Sequence, residues 1–259
     1  MARTSDRVRV ISVAVTAVTQ AVAAPLTTWA LGPRSDTGAI ADANASPVTP
    51  ADYAFWVWGL IYAACLALAI YQFLPSQQER AVHRLTGWWL FGAFTTSTLW
   101  VPTFGTRAIW LSQILIVILV IYLVFAARGF LVVGPAANAA EEVLLRLPVM
   151  IYLGWATVAA AAGFATTFRS WGMPESARWV NEIGVVLVLS ATIMSLFVVS
   201  RLVAVLGFVL TACWALLAVA LATDSNSVRN AAIVAMVIMV AVVVGRTLRS
   251  PERRVVLLG

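Results

Sequence analysis

The chain has 259 residues, 62% of them hydrophobic and 11% charged, with a formal net charge of +6 and a mean hydropathy of +0.93. Soluble domains carry about twice that share of charge. This chain cannot coat a water-facing surface of its size, which makes a soluble enzyme, a disordered regulator and a disulfide scaffold poor readings and a polytopic membrane protein the strong one.

About 20 apolar residues cross a ~30 Å hydrocarbon core. That ruler predicts an all-α transmembrane helix bundle of about eight spans: residues 8–31, 52–74, 85–104, 108–127, 147–168, 184–200, 202–222 and 229–244. Arg3, Arg7 and Arg9 before the first span, with Ala21-Val22-Ala23 inside it, resemble a secretory leader, but Pro25 and the apolar run to Leu31 favour a retained helix. Residues 32–51 form the longest polar loop, rich in turn-forming residues and ending in Pro47-Val48-Thr49-Pro50. It is long enough to fold over a cavity mouth, and equally suited to be a plain connector. Thr49 or Asp52 offers a cap for the second helix. Asn44-Ala45-Ser46 is a formal glycosylation sequon with meaning only in a eukaryotic secretory host. The sixth and seventh spans join almost directly through Arg201, as a tight hairpin.

All seventeen basic residues are arginine. Without lysine there is no Schiff-base chemistry, which excludes retinal-linked photoreceptors and pyridoxal enzymes. The arginines are scattered between apolar spans rather than forming a basic stripe, so nucleic acid is not an expected partner. With the N-terminus inside, Arg3, Arg7, Arg9, Arg80, Arg84, Arg128, Arg146, Arg201, Arg246, Arg249, Arg253 and Arg254 fall on inner segments, and Arg34, Arg107, Arg169, Arg178 and Arg229 on outer ones. That bias predicts both termini in the cytoplasm. Arginine without lysine, together with abundant alanine, points to a GC-rich bacterial genome and hence to a bacterial cytoplasmic membrane.

Cys65 and Cys213 lie in apolar runs and read as buried small hydrophobes. His83 is the one histidine, so a zinc or haem-iron site built on several His or Cys ligands is not expected. No ionisable side chain lies well inside a span, which argues against an ion-driven transporter. Paired carboxylates, a Ser/His/Asp set and a Cys/His pair are missing, so catalytic residues are not assigned and the enzyme reading is disfavoured.

Trp29, Trp88, Trp89, Trp110, Trp171 and Trp179 fall near helix ends, where interfacial anchoring explains them. Trp58, Trp100 and Trp155 lie deeper, at ~9, ~6 and ~20 Å from the outer ends of their helices at 1.5 Å rise per residue. A buried indole N–H wants a partner, so these rings face protein or a cavity rather than lipid. Around them, on the third to fifth spans, are Thr95, Thr96, Ser97, Thr98, Gln113 and Thr157. Their side chains either bond back to backbone or share an internal pocket with the tryptophans.

Three segments carry a family resemblance. The second span opens Thr49-Pro50-Ala51-Asp52-Tyr53-Ala54-Phe55-Trp56-Val57-Trp58-Gly59-Leu60-Ile61-Tyr62, the third ends Ser97-Thr98-Leu99-Trp100-Val101-Pro102-Thr103-Phe104-Gly105, and the fifth contains Ile151-Tyr152-Leu153-Gly154-Trp155-Ala156. Together, in that order, they resemble the tryptophan-rich sensory protein family, also called the translocator protein or peripheral benzodiazepine receptor family. Tyr53 stands where short members usually have tryptophan, Ser97 where they have asparagine, and Ile151 where they have proline. The resemblance covers about residues 8–171. It implies a five-helix ligand-binding bundle over residues 1–171, followed by a three-helix membrane extension over residues 172–259. It also implies a cavity opening near the first loop, with Tyr53, Phe55, Trp58, Ser97, Trp100, Tyr152 and Trp155 as ligand-binding residues. The family binds porphyrins such as haem and protoporphyrin, and in some members sterols, so a porphyrin is the implied ligand and no cofactor is required.

Val120-Ile121-Tyr122 through Arg128 matches a proposed sterol pattern that apolar chains meet by chance. The extension offers Thr211 and Trp214 as its functional candidates and is able to cover the face that short members use to dimerise; the oligomeric state is not set by the sequence. The expected function is a membrane ligand-binding or sensory protein for hydrophobic aromatic molecules. A facilitative transporter for a small apolar solute is the alternative.

Overall fold

The computed structural model describes residues 3–174 and 179–259, in which every regular element is helical. In chain order these are α1 (Thr4–Leu31), α2 (Thr37–Ala43), α3 (Val57–Phe73), α4 (Ala81–Gly105), α5 (Ile109–Val133), α6 (Ala139–Glu141), α7 (Leu147–Ser170), α8 (Val180–Arg201), α9 (Leu206–Ala222), α10 (Asn226–Arg249) and α11 (Arg253–Leu257). A 3₁₀ turn, Asp52–Trp56, leads into α3, and a π-turn, Glu142–Arg146, joins α6 to α7. The eight long helices coincide with the eight predicted spans, most of them a few residues longer. Arg178, counted among the outer arginines, lies outside the described residues.

Among the described residues six segments are both long and apolar enough to cross a membrane: Thr4–Leu31, Asp52–Phe73, Ile109–Val133, Ala139–Ser170, Val180–Arg201 and Asn226–Arg249. The other two fall short for different reasons. α9 is apolar but has only 17 residues, while α4 has 25 but carries His83, Arg84 and the hydroxyls of residues 95–98. Both are nonetheless bundle members, α4 packed between α1 and α5 and α9 against α7 and α10. The outer faces are aliphatic: Ile114, Ile118 and Ile121 on α5, and Val186, Leu189 and Ile193 on α8, are exposed at helical spacing. Apolar stripes of this extent suit hydrocarbon rather than water. The protein is an integral membrane helix bundle.

α7 is the hub, touching α3, α5, α8 and α9. Its approach to α9 depends on two glycines. A Cβ on Gly154 would stand 2.3 Å from Thr211 Oγ1 and 2.4 Å from the Phe208 carbonyl, and one on Gly207 2.9 Å from the Leu147 carbonyl. Small residues let backbones close up in a bilayer, where no hydrophobic force drives helices together. Thr211 uses the closeness to donate to the Ile151 carbonyl at 2.9 Å.

The helix ends are closed by local chemistry. Gly32, at φ 87°, ends α1 with its N–H on the Thr28 carbonyl, and Asp36 caps α2 by accepting from Gly38 N–H at 3.0 Å. Arg229 donates to the Ala220 and Thr223 carbonyls at the end of α9, and Arg246 to those of Val199 and Leu202 at the end of α8. Cations at these carbonyl ends complement the helix dipole. The α8–α9 hairpin turns through Leu202–Val205, with Ala204 in the left-handed region at φ 60° and the N–H groups of Ala204 and Val205 donating to carbonyls of α11.

Charges absent from the span interiors gather at the end that carries both termini. Asp6 binds Arg9 and Arg84, Glu141 binds Arg80 and the fully buried Arg146, and Glu142 holds Arg254 in a two-pronged pair with both bonds at 2.7 Å.

Candidate functional site: an aromatic cavity under the first loop

The side chains that could bind a ligand lie at the opposite end, where α3, α4, α5 and α7 converge. Trp58 is the centre. It stacks on Trp100, with ring centroids 5.3 Å apart and planes inclined by 29°, and on Tyr62 at 5.6 Å. Tyr152 and Trp155 meet it edge-on at 5.9 and 6.0 Å. Phe55 extends the cluster by an edge contact with Trp155 at 6.0 Å, and Phe104 by stacking on Trp100 at 5.2 Å. Helical spacing explains the set: positions 58 and 62 share one face of α3, and 100 and 104 one face of α4.

Phe55, Trp58, Trp100 and Trp155 line a cavity directly. Ser97 and Tyr152 are fully buried and do not line it. Tyr53 does not join them. Nearly half exposed, it packs on Trp214 of α9 at 5.4 Å, because the 3₁₀ turn directs residues 53 and 55 to different sides. Trp155, the deepest by residue counting, touches Phe55 and Trp58. Phe104, Ile116 and Gly163 complete the wall without having been singled out in the sequence. Phe104 was legible there, one helical turn beyond Trp100.

The loop of residues 32–51 is the roof. It folds into a 3₁₀ turn and α2 rather than a plain connector, and Thr37, Ala41, Thr49 and Pro50 face the cavity. Thr49 closes a turn by accepting from Ser46 N–H at 2.9 Å, and no side chain caps the turn that starts at Asp52. The roof packs on α1 and α4, and the C-terminal helices help to hold it. Ala51 N–H donates to the Ala218 carbonyl at 3.3 Å and Trp214 Nε1–H to the Ala54 carbonyl at 3.3 Å. Val48 is buried beside Gly184 of α8.

The cavity encloses about 60 Å³ of free space, room for a few waters and well below the ~300–1,000 Å³ of ligand pockets. Its aromatic side chains fill it. Several polar groups nevertheless lack partners among the described residues: Trp155 Nε1, Ser97 Oγ and Gln20 Nε2 are buried without a hydrogen bond. Gln20 meets Tyr152 through its other terminal atom, the hydroxyl lying 3.3 Å from Oε1. Thr96, Thr98 and Thr157 bond back to carbonyls four residues earlier, as hydroxyls in membrane helices commonly do. Gln113 does more. Its Nε2 donates across to the Ala160 carbonyl at 2.9 Å, and its Oε1 occupies the space over Gly163, 2.2 Å from where a Cβ would stand.

No group of three His, Cys, Asp or Glu side chains able to hold a metal occurs among the described residues. The chemistry on offer is stacking and dispersion from aromatic faces, with a few buried hydrogen-bonding groups beside them.

No curated protein and no solved structure matches the chain. A family model described as TSPO-like protein matches residues 8–245, running through α8, α9 and most of α10, well past the 8–171 reach of the sequence resemblance. The aromatic cluster on α3, α4 and α7 and the match across nearly the whole chain lead to one conclusion: the protein belongs to the TSPO-like family.

Proposed function

We propose that this membrane protein binds hydrophobic aromatic small molecules, porphyrin-like tetrapyrroles foremost, in the cavity beneath the first loop. The observation that carries the reading is the Trp58-centred cluster with the partnerless Trp155 N–H in its wall. Indole and phenol rings offer a flat ligand stacking surfaces, and an unsatisfied buried donor gives its polar edge one directed bond. The cavity holds only about 60 Å³, so a tetrapyrrole enters as the roof lifts and the rings re-pack around it. One backbone hydrogen bond, from Ala51 to Ala218, and the Trp214 side chain on Ala54 tie the roof and the turn after it to α9, and the roof is the element we take to move. The arginine bias supports cytoplasmic termini, with the roof on the outer side.

The test is quenching of tryptophan fluorescence by protoporphyrin in the purified, detergent-solubilised protein. Saturable quenching at micromolar ligand, weakened by Trp58→Ala and by Trp155→Ala, is expected. No quenching at that concentration overturns the proposal.

A further inference from the structure

A second groove lies between α8 and α10, at the end of the bundle that carries both termini and far from the aromatic cavity. Its volume is about 700 Å³. One end is lined by Ser200, Arg246, Arg249 and Ser250, and the other, within the bilayer span of α10, by Ile238, Ala241 and Val242. The two ends are about 16 Å apart along α10 at 1.5 Å per residue. Gly245 lies between them, and a Cβ there would meet nothing within 4 Å. The groove is open at the very point where its lining turns from aliphatic to cationic.

The charge around it is uncompensated. Arg9, Arg80, Arg84, Arg146 and Arg254 at this end are each paired with a carboxylate. Arg201, Arg249 and Arg253 are exposed and make no ion pair or hydrogen bond among the described residues. Arg246 commits Nη1 to the carbonyls that end α8, and its other nitrogens make no hydrogen bond among the described residues. Glu252 is the single acidic residue between Arg249 and Arg254.

We propose that this groove is a binding site for an anionic phospholipid. The headgroup phosphate lies against Arg249 and Arg246, within reach of the Ser200 and Ser250 hydroxyls, and one acyl chain follows Val242 and Ile238 into the bilayer. Charge complementarity selects the occupant: an apolar chain alone leaves the arginines unanswered, and a soluble anion leaves the aliphatic half exposed. Basic pockets between membrane helices hold anionic headgroups by this physics. The proposal does not depend on the aromatic cavity or its ligand.

The test uses the full-length protein, delipidated in detergent and titrated with phosphatidylglycerol or phosphatidylcholine, with bound lipid counted by native mass spectrometry. Preferential retention of phosphatidylglycerol is expected. Arg249→Gln, at an exposed position that leaves the fold intact, should weaken it about five-fold, as about 1 kcal/mol per arginine converts. Gly245→Leu, filling the open passage, should weaken retention of the chain-bearing lipid without lowering the melting temperature. Equal retention of the two lipids overturns the proposal, as does retention that neither variant changes. Displacement by inorganic phosphate at the concentration at which glycerophospholipid binds marks a free-anion site instead. A dimer lost in Gly245→Leu identifies a second copy of the chain as the occupant. Either of those results also overturns it.

Discussion

Trp58 of α3 and Trp100 of α4 stack at 5.3 Å with planes 29° apart, while Trp155 of α7 closes on Trp58 edge-on at 6.0 Å and 85°. Three helices are thereby joined through one indole. A far-UV exciton couplet from the Trp58–Trp100 stack is the expected signature, lost in Trp58→Leu and equally in Trp100→Leu. Trp58→Ala should also cost about 3–5 kcal/mol of stability, as large-to-small changes of buried aromatics do. Circular dichroism and thermal unfolding in detergent read the two effects separately.

The 3₁₀ turn that follows the roof is tied to α9 by Trp214. Trp214→Phe keeps an aromatic edge against Tyr53 but removes the N–H that reaches the Ala54 carbonyl. Loss of one such bond is worth about 0.5–1.5 kcal/mol. Hydrogen exchange over residues 51–56 should therefore quicken roughly two- to ten-fold, with exchange in α7 unchanged. Uniform exchange rates in variant and parent would show that the roof is held by its other contacts.

Gly154 sets the distance between α7 and α9. Gly154→Ala places a methyl against the Phe208 carbonyl, which is backbone and cannot rotate away. Over-packing of this kind costs about 1–3 kcal/mol. Gly245→Ala, in open space, serves as the control and should be neutral or slightly stabilising through helix propensity. Melting temperatures of the two variants make the comparison.

Two neighbouring glutamates should respond differently to loss of charge. Glu141 is fully buried with Arg146, also fully buried, as its partner. Glu141→Gln leaves a buried guanidinium uncompensated, a change that typically costs about 3–5 kcal/mol. Glu142 pairs with Arg254, which is 68% exposed, and Glu142→Gln should cost about 0–1 kcal/mol. Unfolding free energies in detergent of the two variants would refute this ranking if they agreed.

Asp42 of α2 gives the roof a pH dependence. Partial burial, and then the nearby Asp52 carboxylate, raise its pKa above the ordinary value. A carboxyl whose pKa is raised in the closed form favours that form when protonated, so its contribution is present at low pH and lost as pH rises through the raised value. Ligand association should accordingly speed up modestly as pH climbs out of the carboxylate range, and Asp42→Asn should flatten that rise. The effect is small because Asp42 is largely exposed to solvent. Stopped-flow quenching across that range provides the measurement.

Much of this organisation was legible in the sequence because the bilayer imposes it. A chain with so few charges must satisfy its backbone inside helices, and span length follows from hydrocarbon thickness. The eight helices, the interfacial tryptophans and the inward-facing Trp58, Trp100 and Trp155 all follow from periodicity and depth. Residue counting put Trp155 deeper than Trp58, yet the two rings touch, since depth along one helix does not fix its height against another.

The partners were decided by tertiary structure alone. Nothing local to Tyr53 indicates that it meets Trp214, or that α9 joins α1 and α4 in holding the loop over the cavity. Arginines that serve as orientation signals in the sequence become ion-pair partners and helix caps once the loops bring Glu141, Glu142 and the carbonyl ends of α8 and α9 beside them. Composition and spacing set which face of a helix is apolar, because that depends on one residue and its solvent. Which face meets which depends on close approach at Gly154 and Gly207, where what matters is the shape of a neighbour more than fifty residues away.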